Sequence, residues 1–214
     1  LVGRLDKNMT VITSKDSDVI SLVKSVRGEH PNWKLKSIYS DVPVFDMPAT
    51  RNDSDFICKN GRWYVKRLER IVPDEKVKFD NRGEYIVTGG FGYFGTYVRN
   101  YLFSRGVAPE NIIALHRGDL TNDSSDNRSI KCDISDYDQI EQVFKDIYNL
   151  KGIIHTAGVI QYKVFEDITT SDFEEIYKPK VDAMYYMDIF SRRFDLDFIV
   201  MCSSISAIMG DVSA

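Results

Sequence analysis

A glycine-rich segment, Thr88-Gly-Gly-Phe-Gly-Tyr-Phe-Gly95, constrains the fold of this chain more than any other feature. It lies between a short apolar stretch, Tyr85–Thr88, and an amphipathic one, Tyr93–Ser104, so the pattern predicts a strand, a tight turn and a helix. The G-x-G-x-x-G spacing is met by Gly90, Gly92 and Gly95. Such glycines let the backbone approach a diphosphate and let the helix pack closely on the strand. A glycine-rich turn without a ligand is the alternative interpretation.

We assign six residues of this segment to the binding of a dinucleotide cofactor, whose phosphates would meet the free N–H groups at the start of the helix. They are Thr88, Gly89, Gly90, Gly92, Phe94 and Gly95.

From Glu84 onward, apolar and amphipathic stretches alternate. Further strands are predicted at Ile112–His116, Ser129–Cys132, Gly152–His155 and Phe198–Ser203, and further helices at Asp136–Tyr148 and about Thr170–Arg192. Apolar strands separated by amphipathic helices imply a parallel sheet that is covered on both faces. We therefore predict an α/β fold with a Rossmann-like, doubly wound parallel sheet over residues 81–214.

Residues 1–80 are more polar and predict a smaller, truncated Rossmann-like subdomain that precedes this sheet. Strands are expected at Met9–Thr13 and Leu35–Tyr39, a helix near Ser17–Glu29, and a hairpin formed by Phe56–Lys59 and Trp63–Arg67. The hairpin turn is Asn60-Gly61, a strong two-residue turn signal. The charged stretch 73–83, which contains Pro and Gly, indicates a linker.

The residue that follows the second strand of the larger half bears on which dinucleotide is bound. Arg117 presents a fork of donors suited to a phosphate, where an acidic residue would bind a ribose 2′-hydroxyl. The pattern therefore favours NADPH over NADH. A solvated surface arginine is the alternative, and the nearby Asp119 keeps NADH open.

Charge and cysteine content argue against several classes of partner. The formal net charge of −4 gives no general attraction for nucleic acid or anionic lipid, and the apolar runs are too short to span a membrane. The three cysteines include no C-x-x-C pair, which predicts reduced thiols in the cytoplasm and no metal site. The absence of an initiator Met suggests a segment of a longer protein.

Four further landmarks follow the glycine-rich segment. They are Cys132-Asp-Ile134, His155-Thr-Ala-Gly158, Tyr177-Lys-Pro-Lys-Val-Asp-Ala183 and Cys202-Ser-Ser-Ile205. With them the chain resembles the ketoreductase domain of modular polyketide synthases, a branch of the short-chain dehydrogenase/reductase family. The resemblance covers about Tyr85–Ala214, and Ser21–Pro31 and Asn60–Leu68 are more loosely similar to the end of the family's structural subdomain.

The resemblance implies an activity and a set of site residues. The parent enzyme would use NADPH to reduce a β-ketoacyl thioester, carried by the phosphopantetheine of an acyl carrier protein, to the β-hydroxyacyl form. Its partners would be the carrier protein and neighbouring synthase domains, and a homodimer through the parent synthase is compatible with this reading. Asp133 would meet the adenine, Ala157 and Gly158 the nicotinamide ribose, and Ser204 the ketone oxygen, while Lys180 matches the catalytic lysine.

The helical pattern adds an independent argument for Lys180. It lies four residues from both Ile176 and Met184, so it is expected to point inward with an apolar stripe. A snorkelling lysine at the edge of the core is the alternative, and for Ser204 the alternative is strand-end capping. Pro179 should distort the helix, because proline lacks a backbone donor. His155 is expected to be a structural hydrogen-bonding residue.

Departures from the family pattern limit the prediction. The family has a tyrosine about thirteen residues after the second serine and an asparagine four later, whereas this chain ends ten residues after Ser204. We therefore expect a fragment without its general acid. Val159–Lys163 lacks the Leu-Asp-Asp of one product class, which favours the opposite, A-type alcohol. A non-catalytic scaffold and a thioester reductase of the extended short-chain type are the alternative functions.

Overall fold

A computed structural model describes residues 8–13, 19–44, 53–72, 78–118 and 128–210. Their contacts divide the chain into two units. The first holds the described residues of Leu1–Pro73, Gln161–Ile168 and Ser203–Ala214, and the second those of Asp74–Ile160 and Thr169–Cys202. The division by contacts differs from the predicted boundary at residue 80 in three places: it falls after Pro73, and segments 161–168 and 203–210 group with the first unit.

The first unit contains a four-stranded sheet. Strands β1 (Asn8–Thr13), β2 (Lys34–Ser40) and β3 (Asp55–Lys59) are parallel, and β4 (Arg62–Tyr64) runs antiparallel to β3. Helix α1 (Val19–Glu29) buries Val23 and Val26 against Leu35 of β2. The predicted hairpin is confirmed: Asn60 and Gly61 have φ values of 51° and 71°, the left-handed pair that a type I′ turn requires.

The second unit contains a five-stranded, wholly parallel sheet. Its strands are β5 (Glu84–Thr88), β6 (Ile112–His116), β7 (Arg128–Lys131), β8 (Leu150–His155) and β9 (Phe198–Met201). Their order across the sheet is β7-β6-β5-β8-β9. The chain therefore winds outward from β5 in one direction and then from β8 in the other, and the predicted doubly wound α/β fold is confirmed.

Alternate residues of the central strand bury themselves on opposite faces of this sheet. The helices of this unit are α2 (Tyr93–Ser104), α3 (Tyr137–Lys145), α4 (Thr170–Tyr177) and α5 (Ala183–Ser191). Ile86 packs against α3 and α5 on one face of the sheet. Tyr85 and Val87 pack on the other face, against Leu102 of α2. This is the burial on both faces that apolar β5 requires, since successive side chains of a strand point to opposite sides.

Helix α2 differs from the sequence expectation. The sequence pattern puts Phe94, Tyr97 and Tyr101 on one apolar face with Val98 and Leu102, but these three aromatic side chains are exposed. For α3, the sequence pattern predicts a capping pair of Ser135 and Asp138, but Asp136 accepts the hydrogen bonds of the first turn instead.

Glu84, at the start of β5, is the acceptor of a small polar network. Its carboxylate accepts hydrogen bonds from Arg128 Nη1 at 2.6 Å and from the backbone N–H groups of Tyr148 at 2.7 Å and Asn149 at 2.8 Å. One largely buried side chain thereby joins β5, β7 and the segment that leads into β8.

The long helix predicted at 170–192 is interrupted. A π-helical turn, Lys178–Asp182, separates α4 from α5 and contains Pro179. The predicted distortion at proline is thus confirmed. At the other side of the unit β9 forms an edge of the described sheet, and Ile199, Val200 and Met201 are exposed there. A short helix of the first unit, α6, spans Ser206–Met209. Among the described helices, none is both long and apolar enough to cross a membrane.

Candidate functional site

The winding of the second sheet reverses between β5 and β8, and this reversal creates a crevice at the carboxyl ends of the two strands. The glycine-rich segment follows β5, and His155–Gly158 follows β8. Thr88 and His155 are register partners across the two strands. The fold thus brings two of the sequence landmarks to the one edge where open α/β sheets bind ligands.

Two glycines of the turn are required by its geometry. Gly89 has a φ of +61°, and a Cβ there would lie 2.9 Å from the Ala157 Cα. A Cβ on Gly95 would lie 2.1 Å from the Gly89 carbonyl oxygen, because α2 starts directly against the turn. The turn therefore follows a narrow path that side chains would fill.

The start of α2 is open to an anion. Its N-cap, Gly92, is extended and provides no side-chain cap, and the first turn of this 12-residue helix contains no acidic residue. The N–H groups of a first helical turn have no partner within the helix, and the helix dipole adds positive potential there. A groove of about 340 Å³ lies beside this end and is lined by Phe91, Gly92, Tyr93, Thr96, Tyr97 and Asn100.

The sequence gave no indication that Phe91, in the glycine turn, contacts Arg99 of helix α2. The Arg99 guanidinium lies 4.3 Å from the centre of the Phe91 ring, and its Nη1 donates to the Gly90 carbonyl at 3.1 Å. Phe91 also meets the His116 ring edge-on at 5.3 Å. Phe91 occupies a variable position of the glycine motif, so spacing gave no signal for it. Phe94, which was assigned to the cofactor, is 66% exposed.

Hydrogen bonds join the ends of β5 and β8. The Thr156 hydroxyl donates to the Thr88 carbonyl at 2.6 Å, and the Ala157 N–H donates to the Thr88 hydroxyl at 3.2 Å. The same hydroxyl lies 2.8 Å from His155 Nδ1. Burial lowers the pKa of His155. The loop that carries Ala157 and Gly158 is therefore fixed against the glycine turn.

Lys180 lies in the π-helical turn, beside this loop. A Cβ placed on Gly158 would be 3.3 Å from the Lys180 Cε, so the lysine stem passes close to the loop. The lysine is exposed, however, and the expectation that it points inward with an apolar stripe is wrong. The π-helical turn inserts an additional residue, which breaks the four-residue spacing on which that expectation relied.

The two residues assigned to the adenosine part of the cofactor end neighbouring strands. Arg117 follows β6 and is exposed, and the His116 ring beside it contacts the Gly118 carbonyl at 2.7 Å. Asp133 follows β7, and its carboxylate accepts from the Ser135 N–H at 2.9 Å. Asp119 lies outside the described residues.

Ser204 belongs to the first unit. Its hydroxyl donates to the Ser206 hydroxyl at 3.0 Å and accepts from the Ser206 N–H at 3.1 Å. These bonds form a local turn at the start of α6.

One group of metal-ligating side chains occurs among the described residues, in the first unit. Ligand atoms of Glu29, His30 and Glu166 lie within 4.8 Å of one another. His30 Nε2 already pairs with Glu166 Oε1 at 2.9 Å, and Glu29 Oε2 accepts from the Phe165 N–H at 2.9 Å. These hydrogen bonds account for the arrangement, and we assign it no metal.

Comparisons with known proteins agree with the fold. The family model described as "KR domain" matches residues 83–213. Polyketide synthase PksN of Bacillus subtilis (strain 168) is 25% identical over 92% of this chain, which spans only 4% of that synthase. A highly reducing polyketide synthase of Gibberella fujikuroi is 32% identical over 63% of this chain, or 6% of its own length.

Solved structures agree as well. A ketoreductase domain from the bacillaene assembly line superposes with a TM-score of 0.81, covers 96% of this chain and 56% of its own, and is 22% identical. The structure of A-type ketoreductases from a modular polyketide synthase gives a TM-score of 0.76 at 19% identity, over 95% of this chain and 51% of its own. At these identities the superpositions show the fold alone.

Proposed function

The chain belongs to the KR domain family, and from that premise we propose that it forms the cofactor-binding part of a ketoreductase within a polyketide synthase. The proposed reaction is the NADPH-dependent reduction of a β-ketoacyl thioester, carried on the phosphopantetheine of an acyl carrier protein, to the β-hydroxyacyl form. The carrier protein and neighbouring synthase domains are the proposed partners, and the cytoplasm is the proposed location. The observation that carries the proposal is the glycine turn at the crevice between β5 and β8.

A dinucleotide fits the residues at the crevice. Because Gly89 and Gly95 have no side chains, the backbone of the turn can approach a diphosphate closely. The first turn of α2 has no acidic residue that would repel the phosphates. In the proposed arrangement Arg117 holds a 2′-phosphate, Asp133 the adenine, and Ala157 with Gly158 the nicotinamide ribose. NADPH would supply the hydride.

The protein's contribution is to orient and to stabilise charge. Lys180, beside Gly158, would donate hydrogen bonds to the ribose and add positive charge where the ketone oxygen becomes an alkoxide. Ser204 would donate a hydrogen bond to that oxygen. Both roles come from the family resemblance, and the position of Lys180 beside Gly158 supports the first of them.

Cofactor binding is the direct test. The affinities of NADPH and NADH are measured for the wild-type chain, for Arg117→Ala and for a control variant, Arg192→Ala. The control removes another exposed arginine of the second unit, one that pairs with Asp188. A hydrogen bond to a charged group contributes about 1.5–3 kcal/mol, so Arg117→Ala should weaken NADPH about 10- to 100-fold. NADH affinity and the Arg192→Ala variant should be unchanged.

The outcomes separate the parts of the proposal. Failure of both cofactors to bind would refute it and favour the scaffold reading. An unchanged preference in Arg117→Ala would refute the phosphate assignment alone.

The substrate assignment needs its own test. With NADPH bound, a β-ketoacyl pantetheine thioester is titrated by NMR against Ser204→Ala and the neighbouring Ser203→Ala. We expect several-fold weaker binding only in the first variant, because only Ser204 is assigned to the ketone. Equal effects in the two variants would contradict that role.

A further inference from the structure

Arg99, in the second turn of α2, contacts two parts of the glycine turn at once. Its Nη1 donates to the Gly90 carbonyl at 3.1 Å, and its guanidinium lies 4.3 Å from the centre of the Phe91 ring. The side chain is half-buried, and burial lowers its pKa. Partial removal of water strengthens the hydrogen bond that the guanidinium makes, because the local dielectric falls. Arg99 is thus attached to the turn and is not merely a solvated side chain on the helix surface.

The opposite side of this arrangement is fixed by β6. The Phe91 ring meets the His116 ring edge-on, with 5.3 Å between the ring centres. The Gly90 N–H donates to the Leu115 carbonyl at 3.0 Å. A Cβ on Gly90 would lie 2.7 Å from the Ala114 Cβ, so the turn rests directly on the strand. Gly90 and Phe91 are therefore held between the end of β6 and helix α2.

The Arg99 contact fixes the orientation of one peptide group of the turn. In a trans peptide the C=O of one residue and the N–H of the next point in opposite directions, and no peptide of the described residues is cis. Because Arg99 holds the Gly90 carbonyl, the Phe91 N–H faces the opposite side of the turn. A diphosphate is bound by N–H groups and repelled by carbonyl oxygens. The orientation of this peptide therefore bears on whether the turn can accept one.

We propose that Phe91 and Arg99 are positioning residues for the dinucleotide: the guanidinium, placed against the ring, holds the Gly90 carbonyl away from the diphosphate and keeps the turn in its binding conformation. This role rests on the proposed function, whereas the contacts that hold the turn do not. Neither side chain is assigned a direct contact with the cofactor. Their effect on affinity should therefore depend on both together, and the loss of Arg99 should loosen the turn even without a ligand.

A double-mutant cycle with NADPH affinity as its readout tests the joint role. Arg99→Met keeps the length of the side chain but removes the donor and the charge, and Phe91→Leu keeps apolar bulk but removes the ring. We expect about tenfold weaker binding in Arg99→Met, which loses a hydrogen bond from a charged group, and about threefold weaker binding in Phe91→Leu, which loses the cation–π contact. The control, Arg192→Met, removes an exposed arginine that pairs with Asp188 and should bind NADPH like the wild type.

The double variant gives the decisive value. Its affinity should stay near that of Arg99→Met alone, because without the guanidinium the ring has nothing to place against the carbonyl. If the two single losses multiplied in the double variant, the side chains would act independently and the proposal would be overturned. Wild-type affinity in Arg99→Met would overturn it as well.

Amide hydrogen exchange in the ligand-free chain reports on the turn itself. The Gly92 N–H donates to the Gly89 carbonyl at 2.8 Å within the turn, and the Ile140 N–H donates to the Asp136 carbonyl at 3.1 Å at the start of α3. By NMR, Gly92 should exchange about tenfold faster in Arg99→Met than in the wild type, with Ile140 unchanged. Equal acceleration of both amides would indicate general destabilisation and overturn the proposal. A wild-type chain that failed to bind NADPH would refute the proposed function and leave this exchange result unaffected.

Discussion

Substitution of Gly95 by alanine tests the close contact on which the glycine turn depends. The added Cβ would stand 2.1 Å from the Gly89 carbonyl oxygen and 2.7 Å from the Gly90 Cα, whereas real Cβ contacts are essentially never shorter than 3.0 Å. The first contact must therefore lengthen by at least 0.9 Å. Both neighbours are backbone atoms, so a side-chain rotation cannot relieve the clash and α2 must move from the turn.

The cost follows from that displacement. Overpacking of this kind costs about 1–3 kcal/mol, and the backbone contact puts Gly95→Ala near the upper value. For a chain of this size about 3 kcal/mol lowers Tm by roughly 6–12 °C. Under the proposed function, NADPH affinity should fall with it, because the displaced helix would no longer face the diphosphate.

Thermal unfolding followed by circular dichroism measures the effect, with Gly118→Ala as the matched control. A Cβ on Gly118 meets nothing within 4 Å, so its Tm should stay within about 2 °C of wild type. If Gly95→Ala and Gly118→Ala had the same Tm, the close approach of α2 to the turn would be refuted.

Three further predictions concern other parts of the chain. Glu84→Gln should lower the free energy of unfolding by about 2 kcal/mol in urea titrations, because it neutralises a largely buried carboxylate that accepts three hydrogen bonds. The control, Glu141→Gln, removes an exposed ion pair with Lys145 and should cost under about 1 kcal/mol. Equal losses of stability in the two variants would contradict the network. Burial opposes ionisation of Asp55, but hydrogen bonds from Arg27 and Ser37 outweigh it and lower its pKa. The stability that the ionised Asp55 contributes is thus present at neutral pH and lost as pH falls from about 5 to 2. In urea titrations, the difference in free energy of unfolding between the wild type and Asp55→Asn should therefore shrink on acidification. A difference that stayed constant with pH would contradict the direction of the pKa shift. Burial, with Asp133 and Asp136, raises the pKa of the Cys132 thiol to about 11, so iodoacetamide at pH 8 should modify exposed Cys202 and spare Cys132 until denaturant is added, as peptide mass spectrometry would reveal.

The elements of the larger sheet could be predicted because each depends on a local pattern. Apolar β5, β6 and β8 bury nearly every side chain, and α2 begins and ends where the sequence indicated. The aromatic residues of α2 did not indicate correctly which of its faces packs against the sheet. Gly95, Val98 and Leu102 follow a helical spacing and face the sheet, which leaves Phe94, Tyr97 and Tyr101 outside. The glycine that permits close packing was the better indicator.

Contacts between distant segments were harder to predict. His155 was expected to be a structural hydrogen-bonding residue, but its partner, Thr88, depends on the register of β5 with β8. Lys180 was expected to point inward because helical spacing was continued through the π-helical turn at Pro179. The grouping of Ser204 with the first unit depends on tertiary contacts that no local pattern encodes.

The exposed strand β9 has a practical consequence for work with the isolated chain. An edge strand presents a row of backbone donors and acceptors to any extended peptide, and here Ile199, Val200 and Met201 add apolar surface to that row. Self-association through this strand would grow with protein concentration. Dilute samples, or a lysine introduced at Val200, would be the first remedy for a preparation that precipitates.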